Sequence, residues 1–223
     1  MSLSVISELS RFYGSDQRFV LAGGGNTSYK DEKNLYIKPS GIALADISEK
    51  DFVKMDRKKV AEIFSIVPPS DVNARESLAK KVMESAVCFD SSGRPSVEAP
   101  LHEAIASTFV VHLHPALVNG MTCGVKGKEK CAELFPDALW IDYIDPGYSL
   151  AVHVQQEIVK FAKERKFQPE IIFLKNHGVF VGGDSANQIK QNYSKIMETL
   201  EAFYKKNGVA LSIESGTKDA ETV

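Results

Sequence analysis

The chain has 223 residues, 43% hydrophobic and 25% charged, with a formal net charge of −2, which argues against a bulk affinity for nucleic acid or anionic membranes. A single domain of this length can bury a core without disulfides, and Cys88, Cys123 and Cys131 form no C-x-x-C motif. No apolar run reaches the ~20 residues of a membrane span, and the first residues lack a signal-peptide pattern, so we expect a cytoplasmic protein with reduced thiols.

Hydrophobic periodicity and turn residues divide the first half of the chain into short elements. Leu3, Ile6 and Leu9 recur at three-residue steps, which is typical of a helix, and the apolar run 19–22 predicts a strand that enters a glycine turn. Ser96 is a residue type that caps helices, so we expect it to begin one. The predicted elements are a helix over 2–13, a strand over 19–22, a hairpin with strands 27–30 and 35–38, a short helix and a strand near 52–55 within 42–64, and helices over 77–87 and 96–107.

Strands and helices alternate through the second half, where Pro115 biases His114 to extended geometry and ends a strand. The predicted elements are strands over 109–114, 139–144, 171–175 and 178–182, and helices over 116–122, 128–134, 150–166 and 186–206. The polar residues 209–223 are expected to form a flexible tail. Hairpin strands mixed with helices predict a layered α/β fold with a largely antiparallel sheet, and we take residues 1–223 as one domain.

Two histidines occupy one face of a predicted strand. His112 and His114 are two residues apart, and because side chains in a strand alternate with a period of two, both rings point the same way. They are either core histidines, each with its own polar partner, or two ligands of one metal. His177 lies in a turn between two apolar strands, and three imidazoles suit Zn²⁺ or another divalent first-row metal with an open fourth position. His102 and His153, inside helical patterns, are interpreted as structural or surface residues, although His102 is four residues beyond Glu98 and so on the same predicted helix face.

A carboxylate and three turns accompany these histidines. Glu98 begins a predicted helix, where it is a first-turn acid that favours the helix dipole, a general base, or a ligand displaced by substrate. The turn 23–26, Gly-Gly-Gly-Asn, precedes a hairpin and not a helix, so it is a weak dinucleotide motif; it is a tight turn or a nest of backbone N–H groups for an anion. Ser40, Gly41 and Ser96 lie in further turns that could donate to the same anion.

Together these stretches resemble the class II aldolase/adducin family. The matching segments are GGGNTSYK (23–30), LYIKPSG (35–41), PSVEAPLHEAI (95–105), FVVHLHP (109–115), DYIDPG (142–147) and FLKNHGVFVGG (173–183). They occur in the family's order, and the HLHP and NHG elements are the most specific. The resemblance implies a single three-layer α/β/α domain on a central, mainly antiparallel sheet, and a homotetramer with sites between subunits.

The resemblance also implies an activity. His112, His114 and His177 match the family's metal ligands, and Glu98 matches the acid that moves the substrate proton. The implied enzyme is a zinc-dependent lyase that reversibly cleaves a ketose 1-phosphate to dihydroxyacetone phosphate and an aldehyde through a metal-stabilised enediolate. Two alternatives stay open: an epimerase, dehydratase or decarboxylase of the same family, and a non-enzymatic binding module like the adducin head.

Substrate phosphate is assigned by the resemblance to a set of turn residues, namely Gly25, Asn26, Ser40, Gly41 and Ser96. Two features depart from the family. Val97 stands where many of its aldolases have a second serine before the acid, which removes one phosphate donor. The C-terminal tail has no tyrosine to donate a proton, and Tyr143 and Tyr148 are the candidate substitutes.

Overall fold

A computed structural model describes residues 2–21 and 24–211. In these ranges the chain forms eight α-helices, three 3-10 helices and seven strands. The helices are α1 (Ser2–Gly14), α2 (Arg57–Ala61), α3 (Val72–Ala86), α4 (Ala99–Ala104), α5 (Ala116–Thr122), α6 (Gly127–Leu134), α7 (Tyr148–Arg165) and α8 (Ala186–Lys206). The strands are β1 (Asn26–Lys30), β2 (Asn34–Ile37), β3 (Val53–Asp56), β4 (Phe109–Leu113), β5 (Leu139–Ile141), β6 (Ile171–Leu174) and β7 (Gly178–Gly183). The 3-10 helices are Leu44–Asp46, Glu49–Asp51 and Glu62–Phe64.

The seven strands form one sheet in the order β3-β2-β1-β4-β7-β6-β5. Every neighbouring pair is antiparallel except β5 and β6, which are parallel. The register places Asn26 of β1 opposite His112 of β4, and His112 opposite Phe180 of β7. The prediction of a mainly antiparallel sheet is confirmed, and its central strands bring distant parts of the sequence together.

Helices cover both faces of the sheet. Val111 and Leu113 of β4 belong to a core cluster shared with α1, α5, α6 and α8. Val110 belongs to a second cluster, shared with α4 and α7, while α2 and α3 pack over β2 and β3 on the same side. The predicted three-layer α/β/α arrangement is therefore confirmed, and His112, two residues from Val110, faces the layer that contains α4 and α7.

The predicted strand over 19–22 is wrong for the residues that the structure describes. The amides of Phe19 and Val20 donate to the carbonyl of Asp16 at 2.9 and 3.1 Å, which closes a turn after α1. The ring of Phe19 packs edge-on against Tyr13, with ring centroids 4.9 Å apart. Phe19 and Val20 are buried without pairing in a strand, Leu21 is exposed, and the last residue of the run lies outside the described part of the chain.

Ser96 does not cap α4, which begins three residues later, at Ala99. The Ser96 hydroxyl accepts the amide N–H of Glu98 at 3.2 Å, inside a turn that precedes the helix. Pro100 lies in the first helical turn, where its missing N–H leaves no hydrogen bond unmade. The predicted helix over 96–107 is therefore a shorter helix, and Glu98 is the residue immediately before it.

Two other boundaries differ from the prediction. Helix α3 begins at Val72 and not at Ser77, because the carboxylate of Asp71 caps it by accepting the amide N–H of Ala74 at 2.8 Å. Strand β5 ends at Ile141, three residues before the predicted end. The other helices and strands that were predicted with bounds are confirmed to within two residues at each end, and a short helix, α2, lies within 42–64 as expected.

The predicted flexible tail lies largely outside the described residues, from position 212 onward, and residues 209–211 adopt neither helix nor strand. Among the helices of the described ranges, none has the length and apolar character needed to cross a bilayer.

Candidate metal centre and active site

Three histidines converge where the end of β4 meets the turn between β6 and β7. Ligand nitrogens of His112, His114 and His177 all lie within 4.8 Å of one another, and the Nε2 atoms of His112 and His114 are 2.8 Å apart. The first two rings point to one place, as the strand period predicts. His177 joins them through a tight turn in which Asn176 has a φ of +58°.

The partners of His112 favour the state in which it can bind a metal. Its Nδ1 donates to the carbonyl of Val179 at 3.0 Å, so Nε2 keeps its lone pair for a cation. The Tyr193 hydroxyl lies 3.5 Å from the same carbonyl. Burial, and then the nearby His114 and His177 rings, lowers the pKa of His112 well below its usual value, and burial followed by His177 lowers the pKa of His114. Neutral imidazoles are the form that binds metals.

The residues after His177 fit closely around the rings. A Cβ atom on Gly178 would lie 2.5 Å from Cδ2 of His114 and 2.6 Å from the carbonyl oxygen of Leu113. No side chain fits there without displacing one of these groups. Phe180 stacks on His112 with ring centroids 3.9 Å apart and an interplanar angle of 15°. Local packing therefore fixes the orientation of two imidazoles.

Glu98 lies against the histidines. Its Oε1 is 3.5 Å from Nε2 of His112 and 3.4 Å from Nε2 of His177. Its Oε2 accepts an N–H from the side-chain amide of Asn26. The carboxylate, whose side chain is 17% exposed, therefore has one oxygen held by the protein and one directed at the histidines, which suits a group that moves a proton beside them.

The glycine turn approaches the histidines from the β1 side. Gly25 has a φ of +78°, and a Cβ atom there would lie 2.8 Å from the carbonyl oxygen of His112. A Cβ atom on Gly24 would lie 3.5 Å from Nδ1 of His114. Glycine is required at position 25 by both its backbone angle and this close approach, and the turn lies directly beside the candidate metal ligands.

The turns 39–41 and 94–96 lie side by side. They share an isolated antiparallel bridge, and the amide of Ser40 donates to a carbonyl of the second turn at 2.9 Å. The Ser96 hydroxyl, which accepts from the Glu98 amide, connects this pair of turns to the candidate acid. The predicted phosphate-binding residues are thus linked to the histidines through Glu98.

Two cations beside these turns were not selected from the sequence. The Lys38 ammonium donates to the next carbonyl of the chain at 3.1 Å, and burial lowers the pKa of Lys38. Arg94 lines a cavity of about 260 Å³ together with Ser96 and Val97. Gly41, with a φ of +93°, has open space where a side chain would be. The sequence contains one indication of them, because Lys38 and Arg94 each lie two residues before a predicted turn serine.

His102 lies in the interior, with polar partners near the site. Its fully buried ring is hydrogen-bonded to the Ser28 hydroxyl at 2.7 Å and to the side-chain oxygen of Asn26. Nothing in the sequence indicates this contact, because Ser28 and Asn26 lie 74 and 76 positions from His102. His153 is half-buried on α7.

The two candidate tyrosines differ in position. The Tyr143 hydroxyl donates to Oδ1 of Asp145 at 2.9 Å, and Tyr143 lines a cavity of about 180 Å³ that also touches His177. The Tyr148 hydroxyl donates instead to the carbonyl of Ile66 at 3.3 Å, between helices. Tyr143 is therefore the tyrosine that shares a cavity with a candidate metal ligand.

A cavity of about 230 Å³ opens in front of Glu98 and His177, and Pro146 and Leu150 are among the residues that line it. It provides space for a small substrate beside the carboxylate. A larger cavity of about 650 Å³ is lined by other residues, including Ser107 and Asn192, and touches neither the histidines nor Glu98.

Fold and site together define a single-sheet α/β domain with a three-histidine, one-carboxylate cleft. The family model described as Class II Aldolase and Adducin N-terminal domain matches residues 5–204, so the chain belongs to the class II aldolase and adducin family. The resemblance seen in the sequence motifs is confirmed.

Individual relatives agree with this assignment. The L-fuculose phosphate aldolase of Methanocaldococcus jannaschii is 25% identical over 166 residues, which are 74% of this chain and 75% of that protein. The N-terminal class II aldolase domain of a conserved protein from Thermoplasma acidophilum superposes with a TM-score of 0.76 at 25% identity, over 91% of this chain and 93% of that one. A sugar-phosphate aldolase from Thermotoga maritima shares the fold with a TM-score of 0.65 at 13% identity, over 95% and 97%.

Proposed function

We propose that the protein is a metal-dependent lyase that reversibly cleaves a ketose 1-phosphate into dihydroxyacetone phosphate and an aldehyde. The observation that carries the proposal is the position of Glu98, whose Oε1 lies within 3.5 Å of Nε2 of two convergent histidines. Membership of the class II aldolase and adducin family and the similarity to an L-fuculose phosphate aldolase support lyase chemistry.

The donor set suits a divalent cation, which His112, His114 and His177 would hold. Three convergent imidazoles with an open fourth position are the ligands of catalytic zinc sites, so Zn²⁺ is our candidate, and other divalent first-row metals accept the same donors. When bound, the cation supplies Lewis-acid chemistry, by polarising the ketose carbonyl and stabilising the negative charge that develops as the carbon–carbon bond breaks.

Proton transfer is assigned to two side chains. Glu98 uses its free Oε1 to hold the proton that is exchanged with the carbon left by bond cleavage, because that oxygen faces both the histidines and the adjoining cavity. Tyr143 is proposed to exchange a proton with the oxygen of the leaving aldehyde, since it lines a cavity with His177. In the reverse direction the same two groups return these protons.

Phosphate is proposed to lie against the three turns. The binding residues are Gly25, Asn26, Ser40, Gly41 and Ser96. One N–H of the Asn26 amide is used on Glu98, which leaves the other for substrate. Lys38 and Arg94 add positive charge beside the turns, and they compensate for the donor that Val97 lacks.

Assembly and location complete the proposal. By family resemblance we propose a cytoplasmic homotetramer, with residues 1–223 as one domain in each protomer. Size-exclusion chromatography with light scattering measures the assembly, and a monomer that turns over at the full rate contradicts a site completed between subunits.

The experiment is a panel of phosphorylated ketoses offered to the metal-loaded protein, with full product analysis. We expect dihydroxyacetone phosphate and an aldehyde in equal amounts. Products of the same carbon skeleton indicate an epimerase or dehydratase, loss of CO₂ indicates a decarboxylase, and no metal with no turnover indicates a binding module.

Variants assign the roles in the same assay. His112→Ala should lose both metal and turnover, whereas Glu98→Gln should keep the metal and lose turnover. His153→Ala, a histidine on α7 that belongs to no site, is the matched control and should change neither. Full metal content and full turnover in His112→Ala contradict the proposal.

A further inference from the structure

One face of β1 carries a row of buried polar side chains. Asn26, Ser28 and Lys30 are 7%, 0% and 5% exposed, and all three bond to the segment that contains Glu98 and α4. Ser28 pairs with Nδ1 of His102 at 2.7 Å, and the Lys30 ammonium donates to the backbone carbonyl of His102 at 2.7 Å. Polar groups are costly to bury without partners, so the row and the α4 segment depend on one another.

The chemistry of these groups gives the chain of hydrogen bonds a single direction. A carboxylate only accepts, so Asn26 must turn its Nδ2–H to Glu98 and its Oδ1 to His102. That oxygen also only accepts, so Nε2 of His102 carries the proton and Nδ1 accepts from the Ser28 hydroxyl. Complete burial keeps the pKa of His102 well below its usual value, which agrees with a neutral ring.

We propose that His102 is a positioning residue that acts on Glu98 through Asn26, by holding the Asn26 amide in the one orientation that donates to the carboxylate. Rotation of that amide by half a turn would present Oδ1 to Glu98, and two acceptors would repel each other. Oε2 of Glu98 would then lose its hydrogen bond from Asn26, which is the bond that distinguishes it from Oε1. Oε1 would no longer be held towards His112 and His177. The inference rests on the proposed function, because it assigns a role in turnover to Glu98.

A simple structural anchor for α4 is the competing explanation, and the same helix offers a control. Glu103, next to His102, forms an ion pair with Arg57 at 2.9 Å, and its side chain is 9% exposed. This pair attaches α4 to the neighbouring α2 but makes no contact with Asn26 or Glu98. Glu103 also acts through its charge on the Lys30 ammonium, but it forms none of the hydrogen bonds that join His102, Asn26 and Glu98. Glu103→Gln therefore loosens the helix while those bonds stay in place.

Three variants separate the two explanations. His102→Phe keeps the ring volume and removes both hydrogen bonds, and we expect kcat to fall about 10- to 100-fold while metal content stays close to wild type. His102→Gln, which can still donate to Asn26, should recover most of the loss. Glu103→Gln should lower the free energy of unfolding and leave kcat unchanged.

A double-mutant cycle gives the decisive comparison. If His102 acts through Glu98, then His102→Phe introduced into Glu98→Gln should change the residual turnover by less than about 2-fold, since interacting residues are not additive. Equal losses in both backgrounds overturn the proposal, and so does a kcat loss in Glu103→Gln that matches His102→Phe.

A measurement without turnover tests the chain by itself. In ¹⁵N-histidine NMR spectra of the whole protein, His102 should be neutral with its proton on Nε2 in both metal-free and metal-loaded samples. A proton on Nδ1 would mean that the hydrogen bonds of His102 run in the opposite direction, and it would overturn the proposal. This test uses the wild-type protein, so it applies even if His102→Phe fails to fold. If no phosphorylated ketose is cleaved but the Nε2–H tautomer is observed, the proposed function fails while the positioning chain stands.

Discussion

Replacing Gly178 by alanine tests whether the lack of a side chain at the first residue of β7 keeps the metal ligands in place. The new Cβ would lie 2.5 Å from Cδ2 of His114, which is 0.9 Å shorter than the 3.4 Å at which ordinary contacts begin. It would also lie 2.6 Å from the carbonyl oxygen of Leu113, which belongs to the paired backbone of β4 and β7. Because that backbone is the less mobile neighbour, the His114 ring must move.

We expect Gly178→Ala to weaken Zn²⁺ binding by about 10- to 100-fold, as for other changes that disturb ligand orientation. The metal-free protein should lose about 1–3 kcal/mol of its free energy of unfolding, as overpacked sites do. Zn²⁺ affinity is measured by competition with a chromophoric chelator, and stability by urea unfolding in excess chelator.

Gly182→Ala is the matched control on the same strand. Its Cβ would lie 2.5 Å from Oγ of Ser107, far along β7 from the histidines, so it should destabilise the fold without changing the Zn²⁺ dissociation constant. A wild-type Zn²⁺ affinity in Gly178→Ala, or an equal loss in Gly182→Ala, would refute the steric argument.

Three further outcomes follow from the site. Burial lowers the pKa of His112 and His114 below 6.5, so their neutral form stabilises the metal-free fold above about pH 6.5, and urea unfolding should show this contribution being lost as the pH falls below that value. Tyr143→Phe should reduce kcat by about 10²-fold or more with the metal retained, and an unchanged kcat removes Tyr143 from the mechanism. Lys38→Met should raise KM for a phosphorylated substrate about 10-fold or more, and an equal effect on an unphosphorylated analogue contradicts a phosphate role.

Signals that are local in sequence predicted much of this molecule. A spacing of two residues in a strand was enough to place the rings of His112 and His114 together, and the turn before Gly178 marked the third histidine. Helices α5 and α8 have the predicted bounds because apolar periodicity and Pro115 act within a few residues, and because the Ser185 hydroxyl caps α8 by accepting the amide N–H of Gln188. The family motifs added the order of the segments and the single sheet.

Features that depend on distant contacts were not predictable in this way. Phe19 and Val20 are apolar whether they form a strand or fill a core behind Tyr13, so composition alone could not distinguish the two. The contact between Asn26 and His102 joins residues 76 positions apart, and no spacing rule relates them. The same holds for Arg94, whose place beside Ser40 depends on how two loops pack.

The most direct test of the account is a metal titration of the metal-free protein, with release of dihydroxyacetone phosphate from ketose 1-phosphates measured at each step. We expect release to rise with bound metal and reach its maximum at one ion per chain in the wild type, and to stay near zero in Glu98→Gln at the same metal content. Release that does not depend on metal, or that persists at the wild-type rate in Glu98→Gln, would contradict it.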